Sequence, residues 1–438
     1  MHRQDSGADA RLLDTVTRSG RPRMAVAYDI TSSSPMELVA ALGGMCDIVW
    51  IVDTNEPTLG SMVHLLPRLG IVVDTHGLTR DELLASLHDH GVDGVVAFTD
   101  SQLALAAQLA DSLGLQGNAT AVIDRLNDKY LQRSALAEAG ILGPRFVRIP
   151  RTDDAAAAVA RTSELSFPVV VKPCHGDSSR DVISIDGPAE LGALLELAAA
   201  EPTRREDFIA EEYLANRTRG GHQAFASYVS VEMIVQSGRP VPLAITGRFP
   251  LAEPFRESGS FMPHALDEDE AAQVLDLAVE AAVAVGVCSG ALHTEIKLTP
   301  SGPRVIEVNG RVGGGGIDSL YARAHGTSLS QLAVRVAMGE HVDLVPETPT
   351  RWDGPFFYEF FVQPPTWAHQ VGSLVETDQL VGIAGVERVA LNRSLDDCLD
   401  WRRGSQGYIL QAGGRATDRE MLASVPDLVT AAARINYR

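Results

Sequence analysis

The chain is poor in cysteine: Cys46, Cys174, Cys288 and Cys398 are the only four in 438 residues, and none stands in a CxxC or other ligand-like spacing. That excludes a disulfide framework or a zinc site as the organising feature, and the four are expected to be reduced core residues. No apolar run reaches the roughly 18 residues of a membrane helix. The first stretch, MHRQDSGADARLLDTVTRSGRPR, lacks the apolar centre of a secretory signal. Neither membrane nor export is expected, and the protein is expected to be cytoplasmic. A basic cluster is also missing, and with a formal charge of −20 nucleic acid is not an expected partner. Any anionic ligand would need Lys and Arg gathered locally. Three motifs are absent. No GxGxxG follows the first apolar run, where Tyr28-Asp29-Ile30-Thr31-Ser32-Ser33-Ser34 stands; there is no GxxxxGK[ST] and no GxSxG. A dinucleotide fingerprint, a Walker loop and a serine nucleophile are therefore unsupported.

What remains is an ordinary globular composition, 45% hydrophobic and 21% charged, long enough for two to four domains. Short apolar runs at 24–28, 47–52, 70–73 and 92–98 alternate with helical patterns such as Asp81 to His90 and Gln102 to Leu113. This spacing predicts a small parallel sheet covered by helices.

The most informative stretch runs from Ala291 to Gly316, ALHTEIKLTPSGPRVIEVNGRVGGGG. His293 to Leu298 alternates polar and apolar residues, Arg304 to Asn309 does so less strictly, and Thr299-Pro300-Ser301-Gly302-Pro303 is turn chemistry. A β-hairpin follows, with Ile296, Leu298, Ile306 and Val308 on its buried face. With the turn centred on Ser301, Glu295 lies opposite Glu307 and His293 opposite Asn309, with Arg311 next along the same face. Facing carboxylates repel and destabilise a hairpin unless a cation sits between them, and a nearby amide oxygen completes a site for a hard cation. Mg²⁺ is the natural candidate. It usually takes one or two protein carboxylates and fills its other positions with water and substrate phosphates, so a nucleotide is expected. Arg311 before Gly313 to Gly316 places a fixed positive fork beside backbone that can approach a phosphate closely.

Other segments carry weaker signals. Ser166 to Pro173 is a buried-strand pattern ending at Lys172, followed by the small polar loop Cys174 to Asp181 and the strand Val182 to Ile185. A lysine closing an apolar strand suffers desolvation unless an anion meets it, and such a loop offers amides and hydroxyls to phosphate oxygens. Phe208 to Leu214 runs from an apolar strand into Glu211 and Glu212. Tyr228 to Val235 and Val241 to Thr246 form another hairpin pattern, with Glu232 and Arg248 as polar exceptions that either line a site or face solvent.

In order, Lys129, VVVKP with its loop, IAEEYL, SVEMIV, HTEIKL and VIEVNGR resemble the ATP-grasp ligases over roughly Asn118 to Gly339. The closest likeness is to the carboxylate-amine ligases that join amino acids, including bacterial L-amino acid ligases of the bacilysin synthetase kind. The resemblance implies an α/β and α+β chain with the ATP-grasp fold. Its parts would be an N-terminal parallel α/β (pre-ATP-grasp) domain at 21–122, a nucleotide-binding and catalytic region at 123–340 and a small C-terminal α+β domain at 341–438. It further implies ATP with Mg²⁺, or Mn²⁺, held by Glu295, Glu307 and Asn309, and two nucleotide lysines, Lys129 and Lys172. Ser178, Ser179 and Arg180 would lie on the loop over the triphosphate, where the family often has glycine in place of Asp181. Glu211, with the main chain of Glu212 and Leu214, would form the adenine hinge, and Glu232 would line the nucleotide pocket. Arg311 and Arg248 would handle the acyl phosphate and other anionic groups. Glu257, Ser260 and His264 would lie near the amine, with Ser260 where the family has histidine.

The chemistry implied is transfer of the ATP γ-phosphoryl group to a carboxylate, then attack of an amine, giving an amide, ADP and phosphate. It needs positioning and charge neutralisation and no protein nucleophile. The expected partners are small carboxylates and amines, with an amino acid as at least one substrate, and a homodimer contact could lie in the C-terminal domain. Two other readings are a bicarbonate-using ATP-grasp carboxylase, for which no AMKM carrier segment is present, and a non-catalytic ATP-binding protein. The latter would not need the whole set Lys172, Glu295, Glu307, Asn309 and Arg311.

Overall fold

The apolar runs of the first hundred residues become Arg23–Ala27 (β1), Asp47–Val52 (β2), Ile71–Asp74 (β3) and Gly94–Ala97 (β4). They form an all-parallel sheet in the order β3-β2-β1-β4. A parallel sheet must be covered on both faces. Ala25, Ala27, Val49 and Ile51 meet the helices Arg80–His90 and Asp100–Leu113, while Met24, Val26, Ile48 and Trp50 belong to a core shared with the rest of the chain. The computed structural model describes residues 20–438 except 30–32, 201–205, 218–223, 353 and 374–376. The leader reading of residues 1–19 and the loop reading at Ile30, Thr31 and Ser32 lie outside the described residues. Among the described residues no helix is long and apolar enough to cross a membrane.

Two antiparallel sheets follow. Phe146–Ile149 (β5), Val169–Pro173 (β6), Ile183–Ile185 (β7) and Phe208–Glu212 (β8) pair in the order β5-β8-β6-β7. The larger sheet is built on Tyr228–Gln236 (β9), Arg239–Arg248 (β10), Gly259–Met262 (β11), Gly290–Thr299 (β12) and Gly302–Asn309 (β13). It continues through Phe356–Val362 (β14), while Val371–Ser373 (β15) pairs elsewhere, and then through Val386–Leu391 (β16) and Leu410–Ala416 (β17). Its order is β13-β12-β9-β10-β11-β14-β17-β16, and β15 pairs with Asn436–Tyr437 (β18). Three C-terminal strands, β14, β17 and β16, thus extend the same sheet as the hairpin, while β15 and β18 form a small sheet of their own.

Side chains alternate across this sheet and so sort its faces. Val229, Val231, Met233, Ile245, Leu292, Ile296 and Leu298 all join one core under the helix Glu268–Val285. The opposite face divides along its length. Ile234, Ala244, Met262 and Ala291 pack with Trp50 and Val26 beneath the N-terminal sheet. Two residues along each strand the same face turns polar, at Glu232, Thr246, Ser260 and His293, all buried.

The hairpin register holds where it matters: His293 pairs with Asn309 and Glu295 with Glu307. Beyond them the register shifts, with Ile296 opposite Val305. Ile306 is the extra residue of a β-bulge, so Val305 takes the core position expected for Ile306 and Ile306 lines a cavity. The cysteine expectation also needs correction. Cys46 and Cys174 are buried, but Cys288 and Cys398 are exposed, on segments outside the strands.

Candidate active site

A cavity of about 380 Å³ lies between the β5–β8 sheet and the polar face of the large sheet. It gathers Lys129, Lys172, Ser178, Ser179, Glu211, Glu212 and Leu214 with Arg248, Glu257, Glu295, Glu307, Asn309 and Arg311. The Lys and Arg that an acidic chain must collect for an anion are therefore in one place.

Strand geometry aligns the centre. Glu232, His293 and Asn309 stand side by side on β9, β12 and β13, and Thr246, Ser230, Glu295 and Glu307 form the next row. Within these rows His293 Nδ1 lies 2.9 Å from Glu232 Oε2, and Ser230 Oγ and Thr246 Oγ1 donate to Glu232 Oε1 at 2.7 and 2.9 Å. His293 Nε2 is 3.5 Å from Glu295 Oε1. Burial opposes charge on the imidazole, but Glu232 and Glu295 lift its pKa to about 9, and His293 in turn holds Glu295 down at about 2 despite burial. Asn309 Nδ2 donates to the His293 carbonyl at 3.2 Å, which leaves its Oδ1 as an acceptor for a ligand. Gly313 is required here, because a Cβ would stand 2.7 Å from His293 Nδ1.

Lys129 lines the cavity. It opens the helix Lys129–Glu138, whose N-cap Asp128 accepts from the Tyr130 and Leu131 amides, and its Nζ lies 2.9 Å from Glu307 Oε1 and donates to the Gly176 carbonyl at 2.6 Å. The two facing carboxylates are thus each neutralised by a protein cation, Glu307 by Lys129 and Glu295 by His293. The expectation that they repel in the absence of metal is corrected.

On the other sheet Lys172 pairs with Ile209 and Val170 with Glu211, so Lys172 and Glu211 are diagonal neighbours on one face. Lys172 Nζ lies 3.0 Å from Glu211 Oε2, and Arg133 Nε donates to Glu211 Oε1, also at 3.0 Å. Burial would raise the Glu211 pKa, yet Arg133 and Lys172 hold it at about 2. Both oxygens of this hinge candidate are therefore engaged within the protein. Arg133 also donates to the Val305 and Ile306 carbonyls at 2.8 and 2.9 Å, joining helix, sheet and hairpin. Sequence reasoning missed it.

Arg311 is largely covered, with its side chain 12% exposed, and Asp100 accepts from its Nε at 2.8 Å and lies 2.7 Å from its Nη2. Asp100 begins the helix after β4, so the N-terminal sheet aims this arginine. Asp100 was also missed, although the carboxyl ends of parallel strands are where such sheets carry functional groups. Arg248 is held at both terminal nitrogens: Nη1 donates to Glu257 Oε1 at 2.8 Å and Ser260 Oγ at 3.0 Å, and Nη2 to Ser230 Oγ at 3.0 Å, while its buried Nε has no hydrogen-bond partner among the described residues. Its neighbouring carboxylates raise its pKa against burial. Ser260 lies behind Arg248 and not on the cavity wall. His264 is not brought to the site: past Met262 the chain leaves the strand, and the ring is buried, accepting from the Leu266 amide at 3.2 Å. Burial and Arg419 depress its pKa to about 4. In the loop after β6, Ser178, Ser179 and Asp181 adopt φ of 56°, 57° and 58°, the left-handed region that glycine enters most easily.

Among the described residues no group of three or more His, Cys, Asp and Glu stands in a metal-ligating arrangement. Two carboxylates and an amide oxygen are nevertheless the hard donor set Mg²⁺ accepts, with remaining positions left to water and phosphate. Glu295, Glu307 and Asn309 fit that ion.

The chain has the ATP-grasp fold, and residues 165–319, about a third of it, match the ATP-grasp domain. Among curated proteins the chain is similar to alanine–anticapsin ligase of Bacillus subtilis (strain 168), at 27% identity over 274 residues, covering 58% of this chain and 56% of that protein. It is also similar to carnosine synthase 1 of Homo sapiens, at 33% identity over 122 residues, 28% of this chain and 14% of that one. The match to the first relative thus spans little more than half of that protein's length. Among solved structures, L-amino acid ligase from Bacillus licheniformis aligns with a TM-score of 0.73 and 18% identity over 95% of this chain and 99% of that one. At such identity the likeness is one of fold.

Proposed function

We propose that the chain is an ADP-forming carbon-nitrogen ligase that activates a carboxylate with ATP and joins it to an amine, with an amino acid as at least one substrate. The observation that carries this reading is the convergence of Lys129, Lys172, Arg248 and Arg311 with Glu295, Glu307 and Asn309 around one cavity. Glu295, Glu307 and Asn309 would hold Mg²⁺, which neutralises charge on the phosphates when bound. Lys172 and Lys129 bind phosphate oxygens from opposite sides, and the Ser178–Ser179 loop covers them. The carboxylate oxygen takes the γ-phosphoryl group as its bond to the β-phosphate oxygen breaks, releasing ADP. Arg311, aimed by Asp100, stabilises the acyl phosphate and the oxyanion formed when the amine attacks its carbonyl carbon. The C–N bond forms, the C–O bond to phosphate breaks, and the amine proton passes to solvent or the departing phosphate. Glu257, oriented by Arg248 and Tyr228, stands where an ammonium group would be received.

The likeness to alanine–anticapsin ligase supports the choice of amino acids as substrates. The test is a screen of amino acid pairs with ATP and Mg²⁺, with and without bicarbonate, reading ADP and the coupled product by mass. ADP formed in step with a product lighter than the two substrates by one water supports the reading. AMP with pyrophosphate overturns the acyl-phosphate route, and turnover that requires bicarbonate makes the chain a carboxylase.

A further inference from the structure

The segment Trp401–Gly407 is distant in sequence from both loops of the site, yet it touches both. Gly404 lies against the phosphate loop at φ 66° and ψ −147°, where a Cβ would stand 2.1 Å from the Ser178 carbonyl oxygen and 2.8 Å from the Arg180 nitrogen. The Ser405 amide donates to that Ser178 carbonyl at 2.8 Å, and Gln406 Nε2 donates to Ser178 Oγ at 3.2 Å. On its other side the Glu257 amide donates to Ser405 Oγ at 2.9 Å. Gln363 Nε2 then donates to the carbonyls of both Glu257 and Ser405, at 2.7 and 2.9 Å. Glu257 itself reaches Arg248 at 2.8 Å.

Two physical points give this junction a role. Ser178 and Ser179 both sit at positive φ, a conformation that residues with a Cβ hold only when contacts impose it. In a trans peptide the carbonyl of one residue and the amide of the next point in opposite directions, so tying the Ser178 carbonyl to Ser405 turns the Ser179 amide to the other side of the loop.

We propose that Gly404, Ser405 and Gln406 form a latch that positions the phosphate loop against the loop carrying Glu257, so that the two sides of the cavity close as one unit. These are positioning residues, acting through Ser178 and Glu257. The nucleotide and amine roles of the two loops rest on the ligase reading; the mechanical coupling does not.

Hydrogen exchange of the full chain without nucleotide tests the coupling. Gly404→Ala should speed exchange about tenfold in peptides covering both 176–182 and 255–260, while leaving 290–299 unchanged. Ser405→Ala keeps its amide but loses the hydroxyl, so it should loosen 255–260 more than 176–182, and Ser405→Thr should restore the parent pattern. If Gly404→Ala also loosens 290–299 it has disturbed the fold, and the Ser405→Ala and Ser405→Thr pair then decides. A change confined to 176–182 in Gly404→Ala, or identical exchange in Ser405→Ala and parent, overturns the latch. Titration with MgADP separates the two readings: about tenfold weaker binding in Gly404→Ala agrees with the latch. Coupled exchange in a parent chain that binds no MgADP supports the latch and removes the ligase.

Discussion

Replacing Glu307 with Gln removes one charge from the site with little change of shape, and the structure sets both the sign and the size of the effect. Glu307 is the nearest anion to the Lys129 ammonium, at 2.9 Å, with side-chain exposures of only 18% and 11%. Burial lowers the Lys129 pKa, and Glu307 is the largest influence raising it, so that the net shift is upward. Removing one partner of a buried pair costs about 3 to 5 kcal/mol. The Gly176 carbonyl at 2.6 Å and the charges of Asp100 and Glu295 still hold the ammonium. The expected loss is therefore at or just under the low end, about 2 to 3 kcal/mol. At the roughly 1 to 2 °C per kcal/mol of a unit this large, the ligand-free melting temperature should fall by roughly 2 to 5 °C. Lys129→Met removes the other partner, and the double variant should be more stable than the sum of the two losses by more than about 1 kcal/mol. Metal is tested in the same melts. MgADP at 100 times its Kd stabilises a single-site protein by about 2.7 kcal/mol, and Glu307→Gln should lose most of that increment because the metal would lose a ligand. An unchanged ligand-free melt with additive variants refutes the Lys129 pairing, and a full MgADP shift in Glu307→Gln refutes the metal assignment.

Asp100→Asn should free Arg311 from its charged anchor and lower kcat about tenfold with little change in KM for ATP, measured by ADP release; full activity would show that Arg311 needs no support from the N-terminal sheet. Arg133→Lys should lose about 2 to 3 kcal/mol in urea unfolding, since an ammonium cannot serve Glu211 and the Val305 and Ile306 carbonyls together; a loss no larger than a surface substitution would contradict the bridge. His264, with a folded pKa of about 4 against an ordinary 6.5, binds fewer protons folded than unfolded between those values. Stability should fall as the pH drops from 6.5 towards 4, by up to about 3 kcal/mol, and His264→Gln should flatten that slope; parallel curves for parent and variant over this range would exclude the histidine.

The hairpin was readable because its signals are local: alternation, a turn of Pro and Gly, and charges that fit neither a core nor a plain edge. Glu295 and Glu307 were paired correctly, and so were His293 and Asn309, although the turn-proximal half is offset by one residue. Arg133 and Asp100 left no such trace. Their partners lie 78, 172 and 211 residues away, and each sits in a helix whose sequence would read the same if the residue faced water. His264 failed for the opposite reason, because proximity in sequence to Glu257 suggested proximity in space while the strand Gly259–Met262 carried it away. The continuity of β13 through β16 in one sheet was equally hidden, since pairing across the proline-rich stretch at 345–350 has no local signature.

The bulge at Ile306 makes that residue a removable shim. Val305 and Val308 are both core residues, while Ile306 and Glu307 between them both face the cavity. A chain shortened by Ile306 alone would run valine, glutamate, valine in strict two-residue phase, with the Ile296–Val305 and Glu295–Glu307 pairings still available. The strand would lose no alignment. It would lose one apolar wall of the chamber and one of the two carbonyls that anchor Arg133. The width of the chamber at that wall can therefore vary independently of the carboxylate pair, one residue at a time, in a strand whose turn-side half needs no compensating change.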